Sequence, residues 1–412
     1  MKTLRFGRGI FYGWRVVIAC ALINFYLGGV FFYGFTAFFN PIVEEFGWTY
    51  AAVSFAFSIR GFEAGILAPV LGIFVDRFGP RRLLLFGVIV VGLAFLLLSH
   101  IQSLKGFYIT FAILAIGSSA ASGVVTMTAV ARWFRRKIGR AMGLMTVGYG
   151  LSGVLVPGIV WLITQFGWRH TLVILGGGML VIGIPLSLVV RDRPERYGYL
   201  PDGDMPSSSV AIEAIEERGL VAKEALKTRN LWLLFLTVAF AGMAGIAVIV
   251  HQIPYLTSLG ISREVASLTV IALTSASIIG RLGFGWLGDI FDKRYSFAIA
   301  VAILALGVFT FAQVQTIWQT VASLVIIGIG FGGAIPLRPA LQMELFGMKA
   351  FGSIQGIIMI ALTIGSVAAP VYVGRVFDTT GSYSSAWFVL AIITLMAIPT
   401  VLLIKPVKQD IE

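Results

Sequence analysis

Sliding the chain along itself by 213 positions brings Pro41 onto Pro254, Gly47 onto Gly260, Ser54 onto Ser267, Gly72 onto Gly285, Asp76 onto Asp289, Phe78 onto Phe291 and Arg81 onto Arg294, without a gap. Further along, Gly139 meets Gly352, Gly143 meets Gly356 and Pro157 meets Pro370. Gly, Pro and Asp set turns and helix ends, so a shared register for them means two halves built on one helix plan. The surrounding medium follows from composition: 58% hydrophobic and 12% charged residues leave too little polar surface for a protein dissolved in water.

Apolar stretches cover 14–39, 50–75, 83–99, 106–131, 141–165 and 169–190, then 231–256, 265–287, 295–313, 317–343, 352–376 and 384–404. Each is near or above the roughly 20 residues a helix needs to cross hydrocarbon. The expected fold is therefore an all-α membrane protein of twelve transmembrane helices in two pseudo-symmetric six-helix bundles. Its expected divisions are an N-terminal bundle over 1–190, a linker over 191–230 and a C-terminal bundle over 231–412.

Orientation follows from the basic residues. Of the 31 lysines and arginines, four fall in one set of loops (Lys105, Arg169, Arg263, Arg375) and three within spans (Arg60, Arg281, Arg338), leaving 24 for the side of Met1. By the positive-inside rule that side is cytoplasmic, as expected for both termini in a bacterial inner membrane. The net charge of +12 is then a membrane-topology signal and calls for no nucleic acid. The first span lacks a small-residue cleavage site and is expected to stay. Cys20, the only cysteine, excludes an internal disulfide.

The linker opens with a turn-forming run, Pro194, Gly198, Pro201, Asp202, Gly203 and Pro206, and then takes a charged helical pattern over 211–227. It is expected to be a solvated connector between two bundles that rock.

Two loops repeat in the 213 register. One runs from Gly72 through Asp76, Arg77, Phe78, Gly79 and Pro80 to Arg81 and Arg82, the other from Gly285 through Asp289, Phe291, Asp292 and Lys293 to Arg294. A carboxylate at a helix end and nearby guanidinium groups can pair across such a loop. The pattern resembles the signature loop of the major facilitator superfamily. That resemblance covers the whole chain and implies gating roles for Asp76, Arg81, Asp289 and Arg294. The run from Trp133 to Gly148, with its basic cluster and Ala141-Met142-Gly143, is similar to the entry to the fifth helix of monocarboxylate transporters. Tyr12-Gly13-Trp14 is similar to the opening of their first helix, without the acidic residue that animal members place before it. The oxalate/formate antiporters share much of this pattern.

Charged groups inside hydrocarbon mark functional candidates, since each costs about 2.5 to 3.5 kcal/mol at mid-helix. Arg60 and Glu63 are spaced i, i+3 and can neutralise each other or couple protons. Arg281 has no acid in its own span; Ser277 and Thr274 lie one and two turns behind it, a polar stripe that should face a central cavity. Its guanidinium fork fits one carboxylate, and its place resembles that of the substrate-binding arginine in both related families. His251 is a further proton-coupling candidate, because an imidazole titrates near neutrality. Arg338, between Pro336 and Pro339, is expected to snorkel to the cytoplasm or to form an inner gate.

Against the antiporters, no lysine stands between Lys349 and Lys405, and Leu362 lies near the place of theirs. Against the animal transporters, Tyr33 lies near the place of the first-helix lysine and Ser277 at that of the aspartate, so their proton relay does not carry over. Polar residues at helical spacing suggest the rest of a cavity: Ser118 and Ser122, Tyr33, Thr146 and Tyr149, and Thr363, beside apolar Phe331 and Met359. No metal cluster, paired nucleophile or phosphate loop points to catalysis or a cofactor.

The expectation is a secondary transporter of small monocarboxylates of the lactate and pyruvate class, by proton symport or by anion exchange, working as a monomer in the lipid bilayer. Two other readings are a transporter-like carboxylate sensor and an exporter of larger apolar compounds.

Overall fold

The computed structural model describes residues 11–204 and 219–405, with the side chains at 50, 51, 54, 56–64, 263 and 264 outside the description. The spans are α1 (Tyr12–Phe46), α2 (Tyr50–Phe78), α3 (Pro80–Leu98) and α4 (Leu104–Ala131). A helical run of 52 residues, Ile138–Val189, follows, and Gly167 at φ 77° divides it into α5 (138–166) and α6 (168–189). The second half supplies α7 (Arg229–Ser258), α8 (Arg263–Ile290), α9 (Lys293–Phe311), α10 (Ile317–Phe346), α11 (Phe351–Thr380) and α12 (Ser384–Leu402). These are the twelve expected spans, and large apolar side chains such as Val181, Ile279 and Trp318 face outward, as lipid requires.

Capping residues fall in the 213 register even where their identity changes. Thr49 accepts the N–H of Ala52 to start α2 and Ser262 that of Val265 to start α8. Ser103 does the same for Gly106 in α4 and Thr316 for Gln319 in α10. At the starts of α3 and α9 one need is met in two ways. Asp292, the N-cap of α9, takes the N–H of Arg294 at 2.8 Å, whereas its register partner is Gly79, with no side chain to offer. The N–H of Arg81 is taken instead by Asp192, reaching in from beyond α6 at 3.0 Å. Gly79 has φ 84°, and a Cβ there would meet Asp192 Oδ1 at 2.5 Å, so the glycine admits the substitute cap.

Three spans carry irregular backbone that no periodicity signalled. In α1 a π-turn over Gly28–Tyr33 passes into a 3-10 turn over Gly34–Phe38, beside a 3-10 turn of α5 over Ser152–Leu155. In α4 the helix breaks at Ser122 and Gly123, the latter at φ 53°. Irregular backbone at membrane depth is tolerated where protein or a polar path surrounds it.

Each half holds two apolar cores. The one nearest the basic loops of the first half also takes in Ala340, Met343 and Phe351 from α10 and α11. The halves therefore pack together at this basic end, and glycine makes the contact close. A Cβ on Gly72 would collide with the carbonyl oxygen of Gly352, and one on Gly139 with that of Gly285. A turn deeper, Gly143 stands against the carbonyl of Arg281 and Gly356 against that of Ala68. These contacts are register partners of one another, so α2–α11 and α5–α8 form one crossing built twice.

Where it is described, the connector keeps exposed residues such as Arg196, Gly198 and Lys223 and is also tied to both bundles. Asp202, at φ 64°, accepts the N–H groups of Arg135, Arg136 and Lys137 before α5. Arg191 stacks on Tyr12 and Tyr197, and Leu220 donates to the carbonyl of Phe346 at the end of α10. Of the charged helix expected over 211–227, the described residues 219–227 form only a single helical turn, Ala222–Ala225; residues 205–218, which include the rest, lie outside the described chain.

Candidate functional site

Arg281 lies on the inward stripe of α8, 8% exposed. Its carbonyl rests against Gly143, so its side chain leaves the crossing point and runs along α5. There Nη1 donates to the carbonyl of Thr146 and stands 3.7 Å from where a Cβ of Gly150 would be. Tyr33 of α1 and Tyr149 of α5 lie within electrostatic reach of the guanidinium, and Nε has no partner among the described groups. No described carboxylate is bonded to it or acts on it. Burying a guanidinium without a counter-charge costs several kcal/mol, and an orphaned N–H about 1 to 3 kcal/mol more. A carboxylate entering beside Tyr33 and Tyr149 would satisfy both.

Tyr33 comes from the irregular stretch of α1, and Tyr149 from the last regular turn of α5 before its 3-10 stretch. Tyr149 packs on Gly28, where a Cβ would stand 3.1 Å from its ring, and Tyr33 ends the π-turn, 37% exposed. Ser277, one turn before Arg281, is buried with its backbone against Gly332 of α10, and Thr274 bonds the carbonyl of Val270 in its own helix. The hydroxyl of Thr146 likewise turns back to Met142 and Gly143, leaving its carbonyl as the group that meets Arg281.

The other expected cavity residues sit on different helices. Ser122 donates to the carbonyl of Ser118 at the α4 break. Phe331 of α10 covers Gly245 of α7. Thr363 donates to the carbonyl of Met359 within α11 and packs on Gly65 of α2, while Met359 joins the core of the first half. His251 of α7 shares a hydrogen bond of 3.0 Å through Nε2 with the carbonyl of Pro370 in α11, a tie within the second half. The side chains of Arg60 and Glu63 lie outside the described ones.

The repeated aspartates do not pair with the arginines of their own loops. Asp76 accepts the N–H groups of Gly352 at 2.9 Å and Ser353 at 2.8 Å, with the Ser353 hydroxyl at 2.7 Å. Asp289 accepts those of Gly139 at 2.6 Å and Arg140 at 3.0 Å, with the Arg140 guanidinium at 3.3 Å. Each carboxylate thus caps the N-terminus of the helix facing it in the other half, where backbone donors and the helix dipole favour an anion. Arg294 is held by Asp292 and the carbonyl of Ile404, and Arg81 by its backbone bond to Asp192. Beside the Asp76 latch lies a cavity of about 140 Å³ lined by Arg132, Arg135, Arg193, Glu195 and Lys349.

Arg338 does not snorkel. It is 7% exposed, and the nearest acceptor of its Nη2 is the Met127 thioether of α4 at 3.7 Å. Pro336 and Pro339 lie within the continuous helix α10, whose side chains here turn toward the first half rather than to water. The participation of Met127, of Gln355 beside it and of the linker aspartates was not read from the sequence; the 213-residue register did single out the glycines of the crossings.

Among the described residues no three His, Cys, Asp or Glu side chains are grouped to hold a metal ion. A sequence profile of the Major Facilitator Superfamily matches residues 16–256 and 238–411. Monocarboxylate transporter 12 of Mus musculus is 26% identical over 404 residues, spanning 91% of this chain and 82% of that protein. The oxalate:formate antiporter of Oxalobacter formigenes is 24% identical over 408 residues, spanning 97% and 94%. In three dimensions the chain is similar to a proton:xylose symporter of the same superfamily, with a TM-score of 0.76 at 14% identity and 96% of each chain covered. Relatives and fold alike are those of transporters and not of enzymes.

Proposed function

Because the chain belongs to the major facilitator superfamily, we propose that it is a secondary active transporter of small monocarboxylates of the lactate and pyruvate class, with Arg281 as the carboxylate anchor. The observation that carries this is a buried guanidinium at the junction of α8, α5 and α1 with no described acid beside it. One fixed cation matches one carboxylate. Tyr33, Tyr149 and Ser277 border the anion, and Ser118, Ser122, Phe331, Met359 and Thr363 complete the cavity as the halves move. The names of the relatives, a monocarboxylate transporter and an oxalate:formate antiporter, support a carboxylate cargo.

Transport proceeds by alternating access, the halves 1–190 and 231–412 rocking about the central site with 191–230 as the strap. The basic end faces the cytoplasm of a bacterial inner membrane, with both termini there. Asp76 and Asp289 then latch the cytoplasmic gate, Arg81 and Arg294 act in gating by fixing the loops beside them within each half, and the protein works as a monomer. An anion entering an inside-negative cell works against about 2.3 kcal/mol per 100 mV, so one proton carried with it makes uptake electroneutral. His251, or Arg60 with Glu63, is the group through which the proton is coupled.

Anion exchange is the second reading, favoured by the antiporter relative that spans 94% of its length. Proteoliposomes separate the two: labelled lactate accumulating on an imposed pH gradient with no anion inside establishes symport, and accumulation only with an anion inside establishes exchange. Failure of lactate and pyruvate to move under either condition, or transport unchanged in Arg281→Gln, refutes the monocarboxylate reading.

A further inference from the structure

Three buried polar side chains gather on the basic-end side of Arg281 without satisfying one another. Arg338 is 7% exposed, its Nε has no partner, its Nη2 reaches only the thioether of Met127, and no charged side chain acts on it among the described residues. Gln355 of α11 is fully buried and donates to the same Met127 sulfur at 3.3 Å, while its Oε1 is unpartnered. Gln342, one turn beyond Arg338, donates to the carbonyl of Phe351 at 2.8 Å and also leaves its Oε1 unpartnered. A thioether is a weak acceptor and offers a cation no counter-charge. An apolar side chain at 338 would pack this closed gate better than a guanidinium does.

Depth follows from the packing of α10 on α8, which run in the same direction. Gly332 stands against Ser277 and Leu337 against Gly288. Arg338 therefore lies about 5 residues, or roughly 8 Å at about 1.5 Å per residue, nearer the basic end than Arg281. Its contact with Met127 crosses between the halves, on the closed side of the gate and next to the helix end that Asp76 caps at Gly352. When the halves part at this end, the Met127 contact is the one that breaks, and the guanidinium and the Gln355 amide are exposed to the opening path.

From this we infer that Arg338 and the Gln355 Nε2 form a second carboxylate station, which receives the anion from Arg281 when the basic end opens and captures it first when it enters from that face. The inference rests on Arg281 being the anchor. A charged fork and an amide donor from two helices suit a carboxylate, and the two stations give the anion a polar foothold on each side of the gate.

The test measures labelled L-lactate flux into proteoliposomes separately from each face, for the wild type, Arg281→Gln, Arg338→Gln, Arg338→Lys and Gln355→Leu. Arg281→Gln is expected to abolish flux from both faces; if it does not, the anchor reading fails whatever the other variants do. Arg338→Gln is expected to raise KM for entry from the basic face about tenfold or more and leave KM from the opposite face within about twofold, with Arg338→Lys recovering part of the loss. Gln355→Leu, which keeps the guanidinium, is expected to raise the basic-face KM about fivefold, the loss of one hydrogen bond, and decides the matter if Arg338→Gln does not fold. Equal changes at both faces, or none at either, overturn the second station while leaving Arg281 in place.

Discussion

The carboxylate of Asp76 accepts the backbone N–H of Gly352, 276 residues away in sequence, at 2.9 Å. Its register partner Asp289 does the same to Gly139, itself the partner of Gly352, at 2.6 Å. A carboxylate near the C-terminal end of its own helix is poorly placed with respect to that helix's dipole. Both aspartates are stabilised by the facing helix, whose first N–H groups have no acceptor of their own. That is the physical content of a latch: each aspartate is well solvated by protein only while the two halves touch.

Removing the acceptor should open the gate. Asp76→Ala leaves buried N–H groups of α11 unpaired, at about 1 to 3 kcal/mol each, so the population open at the basic end should rise at least about fivefold. Asp289→Ala should act alike through α5. The rate at which an impermeant maleimide modifies Ala340→Cys, in a Cys20→Ser background, reads this directly. Unchanged rates in both variants would mean that the carboxylates hold nothing shut.

Glycine at the crossings predicts a steric effect of the same sign. A Cβ on Gly139 would collide with the carbonyl of Gly285, a backbone atom that cannot turn aside. Gly139→Ala should therefore force α5 from α8, raise maleimide labelling at the basic end and slow turnover, and Gly352→Ala should do so for α11 and α2. A Gly139→Ala protein with wild-type labelling and flux would show that the helices slide past the added methyl at no cost.

For Arg281, charge and shape separate. Arg281→Gln should lose all thermal stabilisation by lactate, which at 100 times Kd amounts to about 2.7 kcal/mol in the wild type. Arg281→Lys keeps the cation and loses the fork, so affinity should fall about tenfold without vanishing. Differential scanning fluorimetry across lactate concentrations measures both. Stabilisation of Arg281→Gln equal to the wild type would place the anion elsewhere.

Asp292 predicts a pH dependence. Its bond to the Arg294 guanidinium holds its carboxyl below the usual carboxylate range, opposed in part by burial. The folded protein thus keeps the proton off more firmly than the unfolded chain, whose aspartates titrate near ~3.9. The resulting stability is full above that pH and is lost as pH falls through the lower folded value. The Tm difference between wild type and Asp292→Asn should be constant from about pH 7 to 5 and should shrink below about pH 4. A difference that persists undiminished at the lowest pH, or that grows there, contradicts the ion pair.

Sequence alone determined the plan: apolar length dictates spans, and the repeat from Pro41 and Pro254 to Pro157 and Pro370 dictates two copies, because turns and helix ends are local chemistry that a chain carries wherever it goes. Arg281 stood out for the same kind of reason, a charge in hydrocarbon with no acid within a turn. Partners were another matter. Asp76 was expected to meet an arginine a few residues away and instead caps a helix in the other half; Arg338 was expected to reach water and is shut in against Met127; Asp192 stands in for the side chain that Gly79 lacks. Each outcome depends on which helices cross and how closely, and crossing distances are set by packing among residues hundreds of positions apart. Only the tertiary structure holds that information.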